Sequence, residues 1–418
     1  MAFTEVRVLR MMVKQARPGM TLARAVLNPR QPETTLLAAG QALTAQHIAR
    51  LHELGVFDCW VRYPGLDFLD DLFSPALSSA QQKMCETLKI SFHAQATRTD
   101  NKLPINQYRD IVHSLVESIL MNPKHMAFMS DLGAVDDALL RHSSEVAYLG
   151  VILGLKLDGY LIEQRKRLTG HHAKDVVNLG IGCMLHDLGE MQLPAGQRES
   201  RGNWDMHHAE APGACESDWR SHTQLGYAAI RTQVEPTAAI VVLNHHQHFD
   251  GSGFPATAIG SPQAGTQIHV YARIAAAADT FQHLLRPDGM LLPTIAALWR
   301  IQQEPYRKWL DPVVLEALLA VVPPFMPGMV VQLSDRRHAV VTRTSVETPC
   351  YPEVQILESL DAEEVLADAP RVVIDLAKTN KLTVQVVDGV DISGFYFGGR
   401  ETKTAVVPEK RVPVGAAA

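Results

Sequence analysis

The 418-residue chain has few cysteines, no long apolar run and no excess of positive charge, and each lack removes a class of function. Its cysteines, Cys59, Cys85, Cys183, Cys215 and Cys350, are odd in number, scattered and never in CxxC spacing. That argues against a disulfide framework and against a thiolate zinc site, so we expect reduced, structural thiols. No stretch approaches the roughly 20 apolar residues that cross a bilayer, and the start MAFTEVRVLR lacks the apolar core of a secretory leader. A cytoplasmic protein with no membrane span is therefore expected. A formal net charge of -6, with pI near 6.3, gives no chain-wide attraction to polyanions. Nucleic acid is not expected as a partner, and any phosphate must be bound locally.

What is present is a hydrophobic fraction of 46%, enough over this length for a large core and for two or three domains. Residues 1–64 mix short extended runs with turns, then offer a helix over Thr44–Leu54 closed by Gly55 and a strand-like VFDCWV, which together predict a small α+β module. Residues 65–124 carry helical periodicity with polar faces and read as a connector. Over 125–325 the apolar spacing is helical almost throughout, which predicts an all-helical domain. After Pro323, Pro324 and Pro327 the pattern turns to alternation in MVVQL, HAVVTR, EVQIL, RVVIDL and LTVQVV, a β module over 326–400. Residues 401–418 are expected to form a disordered tail. The fold class is thus mainly α, with flanking modules.

Histidine is concentrated in the helical region, with 13 of 18 between residues 125 and 325. His142 opens a helix in RHSSEVAYLGVILGL. His186 and Asp187 sit among Met184, Leu185 and Leu188 in CMLHDLGEM, where burying an unpartnered carboxylate would cost several kcal/mol. SHTQLGYAAI places His222 one turn before Leu225 and Gly226. In NHHQHFDGSGFP, a helix from Pro236 sets Ala239, Val242, Leu243 and His246 on one face, with His245 about 100° around it. The helix IHVYARIAAAADTFQHLL sets Ile268, Tyr271, Ala272, Ala275 and Asp279 on one stripe, so Asp279 needs a partner as Asp187 does. His171, His172, His207 and His208 read as loop residues.

His142, His186, His222, His245, His246, Asp187 and Asp279 offer imidazoles and carboxylates from separate helices. An all-nitrogen and oxygen set suits iron, manganese or zinc. Because a catalytic metal keeps about three protein ligands and open positions, these residues imply two ions with Asp187 between them. Two ions about 3.5 to 4 Å apart can make a hydroxide from a bridging water and grip a phosphoryl oxygen, as in many phosphodiester-cleaving enzymes.

The order H, HD, H, HH, then DGSGFP, then D resembles the HD-GYP family of cyclic di-GMP phosphodiesterases, within the HD phosphohydrolase superfamily. The resemblance covers roughly 125–325, and RPGMTLARAVLNP through ARLHELGV and the closing β module resemble the regions that often flank that domain. It implies an HD-type helical fold, cyclic di-GMP as substrate, and the seven residues above as ligands of two divalent ions, iron or manganese ahead of zinc. Asp187 would bridge them as the catalytic group. The arginine of the family's RP element would be Arg286, a phosphate contact, with Ser252 and Phe254 also on the substrate. Signalling proteins would bind through the terminal modules, and a homodimer is compatible with this plan. Three positions depart from the family: Glu190 replaces the lysine of HDxGK, Phe254 the tyrosine of GYP, and Gln247 the glutamate of HHE. Glu190 would repel a phosphodiester if it projects from the face of His186 at i, i+4. A longer segment over 196–221 separates His186 from His222, with Arg198 and Arg201 as cations that could offset Glu190. Ala138 stands where some members have a glutamate for a third ion, which favours two. Without turnover, the same set would make a metal- or dinucleotide-binding signalling module.

Overall fold

The computed structural model describes residues 8–28, 31–56, 58–63, 75–97, 102–121, 138–194, 217–256, 261–287, 290–357, 372–379 and 381–398. The tail 401–418 lies outside them, as does most of the long segment, with Arg198, Arg201, His207, His208 and Cys215.

The N-terminal module pairs β1 (Val8–Met12) with β4 (Asp58–Arg62) and β2 (Val26–Asn28) with β3 (Gln31–Leu37), all antiparallel. Between β3 and β4 runs α1 (Ala45–Glu53). Thr44 caps it by accepting the His47 N–H at 3.1 Å, and Gly55 leaves it at a φ of +74°. The predicted helix is therefore present, with its first and last residues acting as caps.

Among the described residues the body is mainly helical. After α2 (Pro75–Thr97) and α3 (Ile105–Met121) come α4 (Ala138–Lys156), α5 (Asp158–Gln164), α6 (Gly170–Ala173) and α7 (Val177–Leu185). There follow α8 (Ser217–Arg220), α9 (His222–Ile230), α10 (Pro236–Asn244), α11 (Val270–Leu285), α12 (Thr294–Ile301), α13 (Tyr306–Trp309) and α14 (Pro312–Val321). Helix α7 is apolar on nearly every side and packs between α4 and α10, as a helix without a polar face must. Its burial fixes where its C-terminal end delivers the next two residues, His186 and Asp187. Leu88 of α2 and Tyr108 and Val112 of α3 share the apolar core of α4 and α7. A buried arginine, Arg273, ties α11 to its surroundings by pairing with Asp311 and donating to Tyr160 Oη at 2.6 Å and Gln164 Oε1 at 2.7 Å. His171 and His172, expected in a loop, are exposed on the short α6.

The C-terminal part is one antiparallel sheet in the order β10-β9-β5-β6-β7-β8. Its strands are β5 (Val330–Leu333), β6 (His338–Arg343), β7 (Glu353–Ile356), β8 (Val373–Asp375), β9 (Val384–Val387) and β10 (Val390–Asp391). The first five match the alternating runs. The short β10 follows a two-residue turn with positive φ at Asp388 and Gly389, a hairpin geometry that suits Asp-Gly. Val330, Val340 and Leu357 of this sheet complete the core formed by Leu9, Met11 and Trp60, so the two terminal modules are packed together. Lys14 Nζ adds a hydrogen bond to the Asp388 carbonyl at 2.8 Å. Among the described residues, no helix is long and apolar enough to cross a membrane.

Candidate metal centre

Helix ends supply most of the site. His186 caps α7 and Asp187 follows it, His222 is the first residue of α9, His245 caps α10 with His246 next, and only His142 and Asp279 lie within helices. The sequence predicted one helical face for His246 and another for His245. The helix stops at Asn244 instead, and the turn that follows brings both rings inward with centroids 4.1 Å apart. All seven candidate ligands converge.

Asp187 lies between two sets of imidazoles. Its Oδ1 is 3.5 Å from His222 Nε2 and 3.6 Å from His245 Nε2, and its Oδ2 is 3.3 Å from His186 Nε2 and 3.7 Å from His142 Nε2. Asp279 Oδ1 approaches His142 Nε2 at 2.9 Å, and its Oδ2 lies 3.9 Å from His246 Nδ1. The carboxylates are buried, at 3% exposure for Asp187 and 2% for Asp279.

Backbone carbonyls fix three of the imidazole tautomers. The Nδ1–H groups of His186, His222 and His245 donate to the carbonyls of Cys183 at 2.8 Å, Trp219 at 2.7 Å and Val242 at 3.0 Å. In their neutral forms each Nε2 then carries a lone pair pointing into the site, the orientation of a metal-bound histidine. His222 Nε2 and His245 Nε2 stand 3.3 Å apart. Two lone pairs at that separation repel unless a cation lies against both, so the donor set fits a metal ion. Burial pushes the His222 pKa down to about 3, which keeps that ring neutral. Burial also opposes charge on His186, but Asp187 and Asp279 outweigh it and raise its pKa to about 10, so an ion must displace a proton there. Asp279 is held well below the usual carboxylate range: burial opposes this, and His283, His142 and His186 overcome it.

The helical premise for Glu190 does not hold. The chain beyond Asp187 is a 3-10 turn, Leu188–Gln192, so helical i, i+4 spacing does not apply. Glu190 is 2% exposed and accepts the indole N–H of Trp219 at 3.2 Å. The expected placement of Glu190 one helical turn beyond His186 is corrected accordingly. A Cβ on the neighbouring Gly189 would fall 1.9 Å from the His222 carbonyl oxygen, and that close approach is what locks the turn against α9. Trp219 in turn lies 4.7 Å from His222, 5.3 Å from His246 and 6.0 Å from Phe254, ring to ring.

The DGSGFP loop folds back over the paired histidines. A Cβ at Gly253 would lie 2.3 Å from the His246 carbonyl oxygen, which admits only glycine there. Phe254 is buried and stacks on His246 at 4.7 Å, while Gln247 braces the loop by donating to the Pro255 carbonyl and accepting from Gln263 N–H at 2.9 Å. Ser252 is exposed at the rim, bonded to Asp250 and to His248 Nδ1 at 2.9 Å. Arg286 stands outside the ligand cluster, and its Nη2 pairs with buried Glu145 Oε1 at 3.0 Å. Sequence reasoning missed that partner, together with Trp219 and His283. His283 had a signal, since it lies four residues after Asp279 on one helix.

Residues 139–284 match the family model described as HD domain. The chain is 24% identical over 278 residues to cyclic di-GMP phosphodiesterase PA4108 of Pseudomonas aeruginosa, covering 65% of this chain and 60% of that protein. It is 27% identical over 155 residues to cyclic di-GMP phosphodiesterase response regulator RpfG of Xanthomonas campestris, covering 36% of this chain and 38% of that protein. The chain thus spans less than two thirds of the length of either relative. A solved structure of Bd1817, a HDG"Y"P protein from Bdellovibrio bacteriovorus, aligns with a TM-score of 0.42 at 13% identity over 74% of this chain and 98% of that one.

Proposed function

We propose, proceeding from a chain whose helical body carries an HD domain, that the protein is a two-metal phosphodiesterase acting on cyclic di-GMP. The observation that carries this reading is the division of Asp187, one oxygen toward His222 and His245 and the other toward His186 and His142. The names of the two curated relatives support the substrate. Iron or manganese, with zinc as the alternative, would supply Lewis acidity and an activated water for attack at phosphorus. The chain's part is to hold and orient. Asp187 and the imidazoles fix the charge at the centre, and carbonyl hydrogen bonds keep their lone pairs aimed inward. Trp219 and Phe254 close the side of His222 and His246 to solvent, which strengthens electrostatics within. Ser252 offers an exposed hydroxyl, and Arg286 would contact phosphate with guanidinium N–H groups not used on Glu145. Hydrolysis adds water across one P–O ester bond, the hydroxyl going to phosphorus and the proton to the departing sugar oxygen.

A second reading, binding without turnover, is favoured by one specific observation. Neither position that would present a cation to phosphate does so here, since Glu190 replaces lysine beneath Trp219 and Arg286 is paired with Glu145. In both readings residues 125–325 form the working domain of a cytoplasmic protein. The connector 65–124 leads to it, and the modules at 1–64 and 326–400 meet signalling partners or a second copy. Protein purified without oxygen, with its metal content measured, is expected to convert cyclic di-GMP to a linear product. Metal-loaded protein that binds cyclic di-GMP and leaves it intact would establish the second reading instead.

A further inference from the structure

His283 is not among the seven ligands that the sequence pattern nominates, yet it points into the centre. It follows Asp279 by four residues on α11, the spacing that places two side chains on one helix face. Its Nε2 is 3.2 Å from Asp279 Oδ1. The same oxygen lies 2.9 Å from His142 Nε2 and 3.7 Å from His186 Nε2, so three imidazole nitrogens surround one buried carboxylate oxygen. The rings of His142 and His283 lie 4.5 Å apart. Ligand atoms of His142, Asp279 and His283 all fall within 4.8 Å of one another, as do those of His142, His186 and Asp187. These groups share His142 and therefore describe one donor cluster.

We propose that His283 is a further ligand of the ion held on the His142 side of Asp187. This rests on the two-metal reading above. That ion would take imidazole nitrogens from His142, His186 and His283 and one oxygen each from Asp187 and Asp279. The other ion would have His222, His245, His246 and Asp187. The centre is then unequal. The His142 side is nearly saturated by protein and holds its ion in place, while the opposite side keeps the vacant positions that a substrate needs. The competing role is an outer one, in which His283 only donates a hydrogen bond to Asp279 and never touches the ion.

Glutamine separates these roles, because it keeps an N–H donor and is a poor ligand. Ion-free full-length protein would be titrated with cobalt(II), following heat and visible absorption together. Wild type should take up ions in two steps, and His283→Gln should lose roughly 10- to 100-fold in affinity at one step with the other unchanged. The visible band of the affected cobalt should also gain intensity as its coordination number falls. His283→Gln that binds both ions as wild type does, with an unaltered spectrum, overturns the inference and leaves the two-metal reading standing. Wild type that takes up no cobalt overturns both. The ring is 17% exposed, at the edge of the cluster, and thermal unfolding of the ion-free variant checks that its fold is kept.

Discussion

Glu190 shows how burial can reverse the expected effect of a charge. Were it on an open face, lysine there would attract phosphate and improve binding. It is instead enclosed beneath Trp219, three residues beyond Asp187, with its carboxylate engaged by the indole N–H. Glu190→Lys would bury a cation beside imidazoles that already gather to bind cations, and would remove the acceptor from Trp219. We expect that substitution to lower unfolding free energy by about 3 kcal/mol or more, whereas Glu190→Gln, which keeps an acceptor, should lose about 1 kcal/mol or less. Urea unfolding of the ion-free variants checks this. Glu190→Lys as stable as wild type, with tighter cyclic di-GMP binding, would show that the side chain faces the substrate after all.

At the scale of elements, α4 and α11 hold the His142 side together, and they are joined by a pair that the sequence could not show. Glu145 and Arg286 are 141 positions apart and meet only because α11 packs along α4. Arg286→Ala would leave Glu145 buried without its cation, at a cost of about 3 to 5 kcal/mol. Replacing both residues by methionine should restore most of that loss. Calorimetric melting of the single and double variants measures it, and a single variant that melts as wild type would place the guanidinium in solvent. The same contrast separates what was legible from what was not. The apolar period revealed α1 and α11, and the alternating runs revealed β5 to β9, because those signals are local. The clustering of the candidate ligands was legible because imidazoles and carboxylates in apolar surroundings need a shared partner. Trp219 over Glu190, and His245 beside His246 beyond the end of α10, depend on a 3-10 turn and a helix terminus, whose limits sequence periodicity does not fix. His283 was readable from its i, i+4 spacing to Asp279, but it matched no motif.

Across the whole molecule, the apolar body converges on one charged point. Helices α4, α7, α9, α10 and α11 pack through aliphatic and small side chains; the ends or inner faces of the first four deliver imidazoles to Asp187 from two directions, and α11 supplies Asp279. The terminal modules share a core of their own through Val330, Val340 and Leu357. Everything proposed for function depends on Asp187 holding two ions at once. The direct measurement is elemental analysis of wild type and Asp187→Ala, purified side by side without oxygen and reloaded with iron or manganese. Wild type is expected to hold about two ions per chain, and Asp187→Ala to lose metal from both positions, because each depends on one oxygen of the same carboxylate. Equal metal content in the two proteins, or none in wild type after reloading, would contradict the account.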